Sequence, residues 1–568
     1  MTGTREPEVL RVGNASGFYG DRFSAWREML EGEPIDVLTG DYLAELTMLI
    51  LGKDRLADPT RGYAKTFLRQ LEEVLVLAVE RGVRIVTNAG GLNPAGLAQA
   101  VRELAARLGV EVPVGHVEGD AVAVPDALTA NAYLGAFGIA ECLRGGAQVV
   151  VTGRVTDASL VVGPAIARFG WGRDDLNALA AATVAGHILE CGAQATGGNF
   201  SFFTELPDGG RRPGFPIAEI RPDGTCVITK HPGTGGAVTT ETVTAQLLYE
   251  IGPPAYAGPD VVARFDTIHL REVGPDRVEV TGVRGEPPPP TLKVGVNTLG
   301  GYRNAMSFVL CGLDIDRKAA LVREQLEESV GTRGLTWRLA RTDHPDADTE
   351  EAASALLTVH IHDQDQSRAG RRFSQAAVEL ALASYPGCTL TTTPGDAKPY
   401  GVFRSEWLPQ ESVEHIAVLP DGTRVAIAPP KHTQPLSTMD VPRGESTVSQ
   451  EAQQPDPRPV QRQPLGRVVG ARSGDKGGDA NLGVWARSDA AYEWLRSFLT
   501  VAELKRLLPE CAPLPVHRYE LPNLRALNFV IVGLLGEGVA ASTRFDPQAK
   551  ALGEWLRSRL VDIPEELL

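Results

Sequence analysis

The sequence predicts an α/β N-terminal domain with a mainly parallel sheet, followed by an α+β region, and a small α+β domain at the C-terminus. Up to about Phe215, apolar runs rich in β-branched residues alternate with segments of helical periodicity, which is typical of a parallel sheet covered on both faces. Beyond that point, hairpin-like strand pairs predominate. A stretch rich in Pro, Ser, Gln and Thr at 435–464 predicts a linker, because this composition buries too little apolar surface to fold.

The N-terminal elements follow from periodicity and from capping residues. Asn93 is suited to cap a helix that has Pro94 in its first turn and Gly109 just past its end. The other elements predicted in this part are strands at Val9–Gly13, Val83–Thr87 and Gln148–Thr152, and helices at Ala64–Arg81, Asn131–Arg144 and Ala158–Arg168.

The following part has a mixed pattern. A hairpin is predicted around Asp223 and Gly224, and the four prolines at 287–290 exclude both a helix and a central strand there. The further elements predicted are strands at Val278–Val283, Leu292–Val296, Trp337–Arg341 and Leu356–His362, and helices at Asp316–Ser329 and Ser374–Ser384. We therefore place the α/β domain at 1–285, and the α+β region that completes the large domain at 286–434.

Residues 465–568 contain two strands, two helices, two further strands and a last helix, an order that suits a small ferredoxin-like sandwich. The predicted elements are strands at Arg467–Ala471, Leu482–Ala486, His517–Glu520 and Ala526–Val532, and helices at Ala490–Phe498, Val501–Leu508 and Pro547–Arg557.

Charge and composition exclude several classes of function. The formal net charge is −15, which argues against a nucleic-acid partner and against docking on an anionic membrane. No apolar run is long enough for a membrane span, the N-terminus has no signal-peptide pattern, and the six cysteines are too scattered for a zinc site or a disulfide framework. A cytoplasmic protein without metal is the expectation.

Two loops follow neighbouring predicted strands at the carboxyl edge of the sheet, where open α/β sheets bind ligands. In the first loop, Asn88, Gly90, Gly91 and Asn93 offer an amide and free backbone N–H groups; the alternative is a purely structural turn. The second loop contains Arg154, which could hold a carboxylate or phosphate, and Asp157, which could be a catalytic carboxylate or only a helix cap.

Three further glycine-rich stretches are candidate ligand loops. One contains Asn199, a second contains Gly235, and the third places Lys476 and Asp479 between two predicted strands. A plain turn with internally paired charges is the alternative for the third stretch.

Two other constellations carry weaker predictions. His187 and Cys191 are four residues apart on one helix face, which suggests either an activated thiol or, more simply, a packed core face. His360 and His362 face one side of a strand and raise the alternative of a metal-dependent hydrolase, although a third ligand is missing from the local sequence.

Long motifs in this chain resemble the acyclic terpene utilisation protein A family. They are Arg11–Arg22, Asp36–Glu45, Asn88–Gly91, Thr152–Arg154, and, similar to the small ferredoxin-like domain that accompanies the family, Ser473–Asn481. The resemblance covers nearly everything but the linker. It implies a role in bacterial catabolism of citronellol- and geraniol-type terpenes and related branched acyl-CoA compounds, and it transfers no catalytic residue.

The opening motif adds a third loop to the same sheet edge. Asn14, Ser16 and Arg22 follow the first predicted strand and would join the other loops in a polar, oxygen-binding pocket.

We therefore expect an enzyme that acts on a branched acyl-CoA or hydroxyacyl-CoA by hydration, C–C cleavage or thioester hydrolysis. Arg154 would stabilise negative charge on the thioester oxygen, Asp157 would transfer protons, and Asn88 would orient the carbonyl. The expected ligand is a small anion or an acyl-CoA, with coenzyme A as part of the substrate and no other cofactor required, bound to a homo-oligomer. The alternative is a non-catalytic scaffold subunit for a carboxylase or dehydrogenase of the same pathway.

Overall fold

The computed structural model describes residues 9–391, 393–436 and 459–568. These residues form helices and strands throughout their length. The α-helices are α1 (Ala25–Glu31), α2 (Glu45–Ala57), α3 (Lys65–Glu80), α4 (Pro94–Leu108), α5 (Phe137–Arg144), α6 (Ser159–Phe169), α7 (Leu176–Glu190), α8 (Thr240–Leu247), α9 (Ile315–Val330), α10 (Phe373–Glu379), α11 (Asp489–Phe498), α12 (Val501–Leu507) and α13 (Leu552–Ser558).

The strands belong to one large sheet and to several smaller ones. They are β1 (Leu10–Asn14), β2 (Val37–Gly40), β3 (Arg84–Thr87), β4 (Val114–Glu118), β5 (Thr129–Ala132), β6 (Val149–Thr152), β7 (Pro216–Ile220), β8 (Cys226–Lys230), β9 (Ala255–Ala257), β10 (Val262–Arg264), β11 (His269–Gly274), β12 (Arg277–Thr281), β13 (Arg284–Glu286), β14 (Thr291–Cys311), β15 (Leu335–Ala340), β16 (Ser354–Asp363), β17 (Thr389–Leu390), β18 (Lys398–Pro409), β19 (Ile416–Val418), β20 (Arg424–Ala426), β21 (Val460–Pro464), β22 (Val469–Lys476), β23 (Asp479–Ala486), β24 (Val516–Leu521), β25 (Ala526–Ile531) and β26 (Leu560–Pro564).

The large sheet has a parallel centre and antiparallel flanks. Its strand order is β11-β12-β8-β7-β1-β2-β3-β6-β4-β19-β20. The five strands from β1 to β4 in this order are parallel, whereas the four on one side and the two on the other pair antiparallel. The prediction of a parallel sheet is confirmed for the centre only. The predicted 216–230 hairpin forms, but it extends this sheet.

Helices cover both faces of the parallel centre. Along β6, Val150 packs in one apolar core with α5, α6 and α7, and its neighbour Val151 packs in the other core with α1, α3 and α4. Because successive strand residues point to opposite faces, a strand covered on both sides is apolar at successive positions, as Val149, Val150 and Val151 of β6 are.

The predicted helix at Asn131–Arg144 is wrong in its first half. Residues 129–132 form β5, which pairs with β14, and only Phe137–Arg144 is helical. The Ala136 N–H, at the start of that helix, donates to Asp260 Oδ2 at 2.6 Å. Pairing with a strand more than 150 residues away decides the conformation here, and local periodicity does not reveal it.

By contacts, the chain divides into two units. Residues 298–402 and 540–547 form one, and the rest of the described chain forms the other, larger unit. The smaller unit contains β15, β16, β17 and part of β14, with α9 and α10 packed on their apolar side around Phe308, Leu357 and Phe373. The structure thus groups the residues differently from the predicted boundaries at 285 and 434.

Residues 459–539 and 548–568 of the larger unit, hereafter the C-terminal part, contain an antiparallel sheet of order β22-β23-β25-β24 with α11, α12 and α13. The predicted order is found from β22 to α13, but β26 follows the last predicted helix, and two boundaries differ. Residues 460–464 of the predicted linker form β21, which pairs with β26, while residues 437–458 lie outside the described residues. The predicted glycine-rich loop is mostly strand, because β22 runs to Lys476 and β23 resumes at Asp479.

Among the described residues, no helix is both long enough and apolar enough to cross a membrane.

Candidate functional site

A cavity of about 1100 Å³ lies within the larger unit. Its walls come from loops that follow the parallel strands β1, β2 and β6, from the segment between α8 and β9, from the start of β14, and from the C-terminal part. The carboxyl edge of a parallel sheet is the usual position of ligand sites in open α/β folds. The C-terminal part closes the cavity on another side, so both sequence regions contribute side chains to it.

Arg154 is the buried cation at the sheet edge. Its side chain is 4% exposed and its Nη1 donates to Asp157 Oδ1 at 2.6 Å. The guanidinium carbon lies 4.2 Å from the ring centroid of Tyr133. Burial raises the pKa of the Asp157 carboxyl, against the opposing charge of Arg154. The pair therefore offers both a fixed positive charge and a carboxyl group that can carry a proton.

A second carboxyl group, Asp41, lies in the loop after β2. Asn88 Nδ2 donates to Asp41 Oδ1 at 2.6 Å, and Asn88 Oδ1 accepts the Tyr42 N–H at 2.8 Å. Burial raises the pKa of Asp41 well above its ordinary value, and the charge of Asp157 adds to this increase. Asn88 itself does not line the cavity. The Asn88 amide positions Asp41, so Asn88 acts on the cavity only through this neighbouring residue.

Lys293 adds a second cation beside Arg154. Its Nζ lies 4.8 Å from the Tyr133 ring centroid and 3.7 Å from Glu45 Oε1. Tyr133 therefore lies next to two cations at one end of the cavity, where an oxyanion would be stabilised.

Glu190 and Cys191 come from the end of α7. Burial raises the pKa of Glu190 well above its ordinary value, with the charge of Asp157 adding to the increase. His187 Nδ1 lies 3.0 Å from Glu190 Oε1, and the imidazole packs against the rings of Tyr256 and Phe265. Burial also raises the pKa of the Cys191 thiol. This environment favours the interpretation of His187 and Cys191 as a packed face and disfavours a thiolate.

Tyr249 and Glu250 precede the turn that leads to β9. Burial raises the pKa of Glu250 to about 8, and the charges of Asp475, Glu45 and Asp157 add to the increase while Lys476 opposes it. A carboxyl group with such a pKa can donate or accept a proton near neutral pH.

The C-terminal part contributes two lysines and an arginine to the cavity. Lys476 Nζ donates to the Glu250 carbonyl oxygen at 3.0 Å. Lys550 Nζ hydrogen-bonds to the Tyr249 hydroxyl and lies 3.4 Å from Asp475 Oδ1. Burial lowers the pKa of both lysines. Arg472 lies over the Tyr249 ring, 4.2 Å from its centroid.

Two buried asparagines of the C-terminal part bind the backbone next to Glu250. Asn481 Oδ1 accepts the Glu250 N–H at 2.7 Å, and Asn528 Nδ2 donates to the Gly252 carbonyl oxygen at 2.7 Å. Two glycines allow this close approach, because a Cβ at Gly474 would overlap Tyr249 and one at Gly483 would overlap Leu248. The position of the Glu250 carboxyl thus depends on how the C-terminal part docks.

Four of the sequence-predicted site residues line the cavity: Arg154, Asp157, Asn199 and Lys476. Asn199 has φ +57° and donates to Gln194 Oε1 at 3.0 Å.

The other predicted residues lie outside the lining and have structural contacts. They are Asn14, Ser16, Arg22, Asn88, Gly90, Gly91, Asn93, Gly235 and Asp479. Ser16 Oγ donates to the Asp41 carbonyl, and Arg22 pairs with Glu28 at 2.9 Å. Asp479, the first residue of β23, accepts the N–H of Gly533, which follows β25.

The glycine loop after β3, which was predicted to bind a ligand through its backbone N–H groups, packs against other parts of the chain. A Cβ at Gly90 would overlap the Thr152 carbonyl oxygen and one at Gly91, where φ is +53°, would overlap Leu51. Asn93 caps α4 by accepting the Gly96 N–H at 3.0 Å. These loops do lie side by side at the sheet edge as predicted, but the first packs against the second and does not face the cavity.

The alternative of a metal site at His360 and His362 finds no third ligand among the described residues. His360 and His362 lie on the same side of β16, where burial lowers the pKa of both and the His362 ring lies 4.5 Å from that of Tyr400. Within 9–391, 393–436 and 459–568, no group of three or more His, Cys, Asp or Glu residues could hold a metal ion.

Sequence reasoning did not select several residues that line the cavity. Asp41 and Glu45 were within reach, because both lie in the Asp36–Glu45 motif directly after a strand. Glu250, Lys293 and Lys550 have no local signal, since only the folded chain brings them together.

Comparison with known families gives two matches. A family model described as acyclic terpene utilisation family protein AtuA matches residues 10–419. A second, described as AtuA ferredoxin-like domain, matches residues 463–562. No curated protein and no solved structure matches the chain.

Proposed function

The chain belongs to the acyclic terpene utilisation family AtuA, and from this premise we propose that it is an enzyme of acyclic terpene catabolism that acts on an acyl-CoA or hydroxyacyl-CoA. The reaction is a hydration, a C–C cleavage or a thioester hydrolysis. These three reactions share one requirement: negative charge that develops on the thioester oxygen has to be stabilised.

The observation that carries this proposal is the Arg154–Asp157 pair in the cavity wall. Arg154 is buried, and it shares the Tyr133 ring with Lys293, so a thioester oxygen placed there would meet two cations at a partly enclosed site. Electrostatic stabilisation is strong in such surroundings because solvent screens it weakly.

Proton transfer would come from carboxyl groups whose pKa lies above the ordinary range. Asp157 is in direct contact with Arg154, and Glu250 has a pKa of about 8. Two carboxyl groups in different environments can take the roles of acid and base in one reaction. Coenzyme A enters as part of the substrate, and a cavity of about 1100 Å³ is at the upper end of the range for ligand sites, as a large thioester requires.

The test is a screen of straight, branched and hydroxylated acyl-CoA thioesters with mass-spectrometric detection of products. For any thioester that is converted, Asp157→Asn should lower kcat by about 100-fold or more, the usual contribution of a general acid or base. Asp479→Asn is the matched control, because Asp479 lies outside the cavity, and we expect it to retain wild-type kcat.

Two results would overturn the proposal. One is that no thioester is converted while the purified chain binds a carboxylase or dehydrogenase of the pathway in a fixed ratio, which would favour a scaffold subunit. The other is that both variants are as active as the wild type.

A further inference from the structure

Arg472 is a buried cation without a carboxylate in contact. The residue is 6% exposed and lines the cavity. Its Nη2 donates to Gln194 Oε1, and the guanidinium lies over the ring of Tyr249. Among the described residues, no Asp or Glu lies within ion-pair distance of Arg472, and its Nε and Nη1 make no hydrogen bond.

This arrangement differs from that of the other buried arginines. Arg154 is paired with Asp157, and Arg368 is paired with Asp363. Buried charges in proteins are generally paired, because removing an ion from water costs several kcal/mol unless a counter-charge or hydrogen bonds replace the solvent. A neutral amide and an aromatic face replace only part of the hydration of Arg472, as the lowered pKa of its guanidinium reflects.

The neighbouring groups leave a surplus of positive charge around Arg472. Lys476 lines the cavity and has a backbone carbonyl as its partner, while Lys550 lies between Asp475 and Glu250. Since the pKa of Glu250 is about 8, its carboxyl group is mostly protonated, and therefore neutral, at pH 7. Of these three cations, Lys550 has carboxylates within ion-pair distance, whereas Arg472 and Lys476 have none among the described residues. Glu45 and Asp479 act on Lys476 from a greater distance.

We propose that Arg472 and Lys476 form an anion subsite that binds a carboxylate or phosphate group of the ligand, separate from the oxyanion position at Arg154. The fork of Arg472 would bind two oxygens of the group through the second N–H of Nη2 together with the adjacent Nε or Nη1, and Lys476 would add a point charge. The subsite rests on the proposed function for the identity of the substrate. The C-terminal part supplies both residues, which makes it a binding element of the cavity as well as a wall.

The carboxylate and the phosphate would have different sources. A phosphate would belong to the coenzyme A moiety, and a carboxylate would belong to the acyl group. Isothermal titration of the full chain with coenzyme A, inorganic phosphate and succinate, at constant ionic strength, separates them. We expect coenzyme A and phosphate to bind if the source is the coenzyme, and succinate alone to bind if it is the acyl group.

Arg472→Gln should weaken binding of the preferred probe by about tenfold or more, the value expected for a lost charge-assisted hydrogen bond. Arg472→Lys should fall between this variant and the wild type, because it retains the charge without the fork. Arg506→Gln is the control: Arg506 also belongs to the C-terminal part but is paired with Glu503 at the surface. It should bind the probe as the wild type does.

The rival explanation is that Arg472 serves only to dock the C-terminal part on Gln194 and Tyr249. In that case Arg472→Gln would lower the melting temperature and yet bind every probe with wild-type affinity, which would overturn the subsite. Failure of all three probes to bind the wild type would overturn it too. If Arg472→Gln does not fold, Lys476→Gln provides the same comparison, with the same expected weakening and the same overturning result.

These measurements do not require turnover. A subsite without any converted thioester would contradict the proposed reaction alone, and turnover with unchanged probe binding in Arg472→Gln would contradict the subsite alone.

Discussion

Replacing Arg154 by methionine tests whether the cation is also part of the structure. The substitution retains much of the side-chain volume and removes the 2.6 Å contact with Asp157 and the packing over Tyr133. Removal of one member of a buried ion pair costs about 3–5 kcal/mol. The Asp157 side chain is 28% exposed, so water can solvate the remaining carboxylate in part. We therefore expect a decrease of about 3 kcal/mol in the free energy of unfolding, near the lower limit of that range.

The decrease should depend on pH. Without Arg154, the folded-state pKa of Asp157, which burial already raises, would rise further. A carboxyl group whose pKa is higher in the folded than in the unfolded state destabilises the fold as the pH rises between those two values. The decrease in the free energy of unfolding that Arg154→Met causes should therefore be smaller at pH 5 than at pH 8.

Equilibrium urea unfolding at the two pH values measures both effects. Asp157→Asn is the matched variant: its amide oxygen can still accept from Arg154, so it should lose less stability than Arg154→Met. A free energy of unfolding for Arg154→Met within about 1 kcal/mol of the wild type at both pH values would refute the reasoning, since a buried carboxylate left without its partner should cost more than this.

Three other predictions concern the cavity wall. Asn481→Ala should speed hydrogen exchange of the Glu250 amide, because that amide loses its acceptor. Asn523→Ala is the control: Asn523 binds a different loop of the larger unit, so exchange of the Glu250 amide should not change. Affinity for the anionic probe should fall as the pH rises through about 8, because Glu250 then becomes charged, and Glu250→Gln should abolish this dependence. Cys191 should react with iodoacetamide at pH 8 about tenfold more slowly in the folded than in the urea-unfolded chain, measured by peptide mapping; equal rates would contradict its raised pKa.

Sequence reasoning succeeded where local rules decide the outcome. The helix with the Asn93 cap and the αL glycine Gly109 forms as expected, and the loop with Arg154 and Asp157 follows a buried strand at the predicted sheet edge. Hydrophobic alternation and capping act over a few residues, so one sequence is enough to recognise them.

It was less successful where the outcome depends on distant partners. One antiparallel flank of the large sheet consists of β19 and β20, which come from more than 250 residues beyond β6. Asn88 has the right chemistry for a ligand group, but its amide is taken up by Asp41 and Tyr42. Glu250 acquires its raised pKa from burial beneath a separate sequence region. None of these contacts leaves a local pattern.

The two glycines at which the C-terminal part meets residues 248–250 set a limit on how the cavity can change. Lining side chains can be exchanged for others of new size or charge, and the cavity would then accept a different ligand. Gly474 and Gly483 cannot be exchanged in this way, because a methyl group at Gly474 would clash with Tyr249 and one at Gly483 would clash with Leu248. A change of ligand specificity therefore has to come from the side chains that line the cavity, while the contact between the C-terminal part and residues 248–250 is retained.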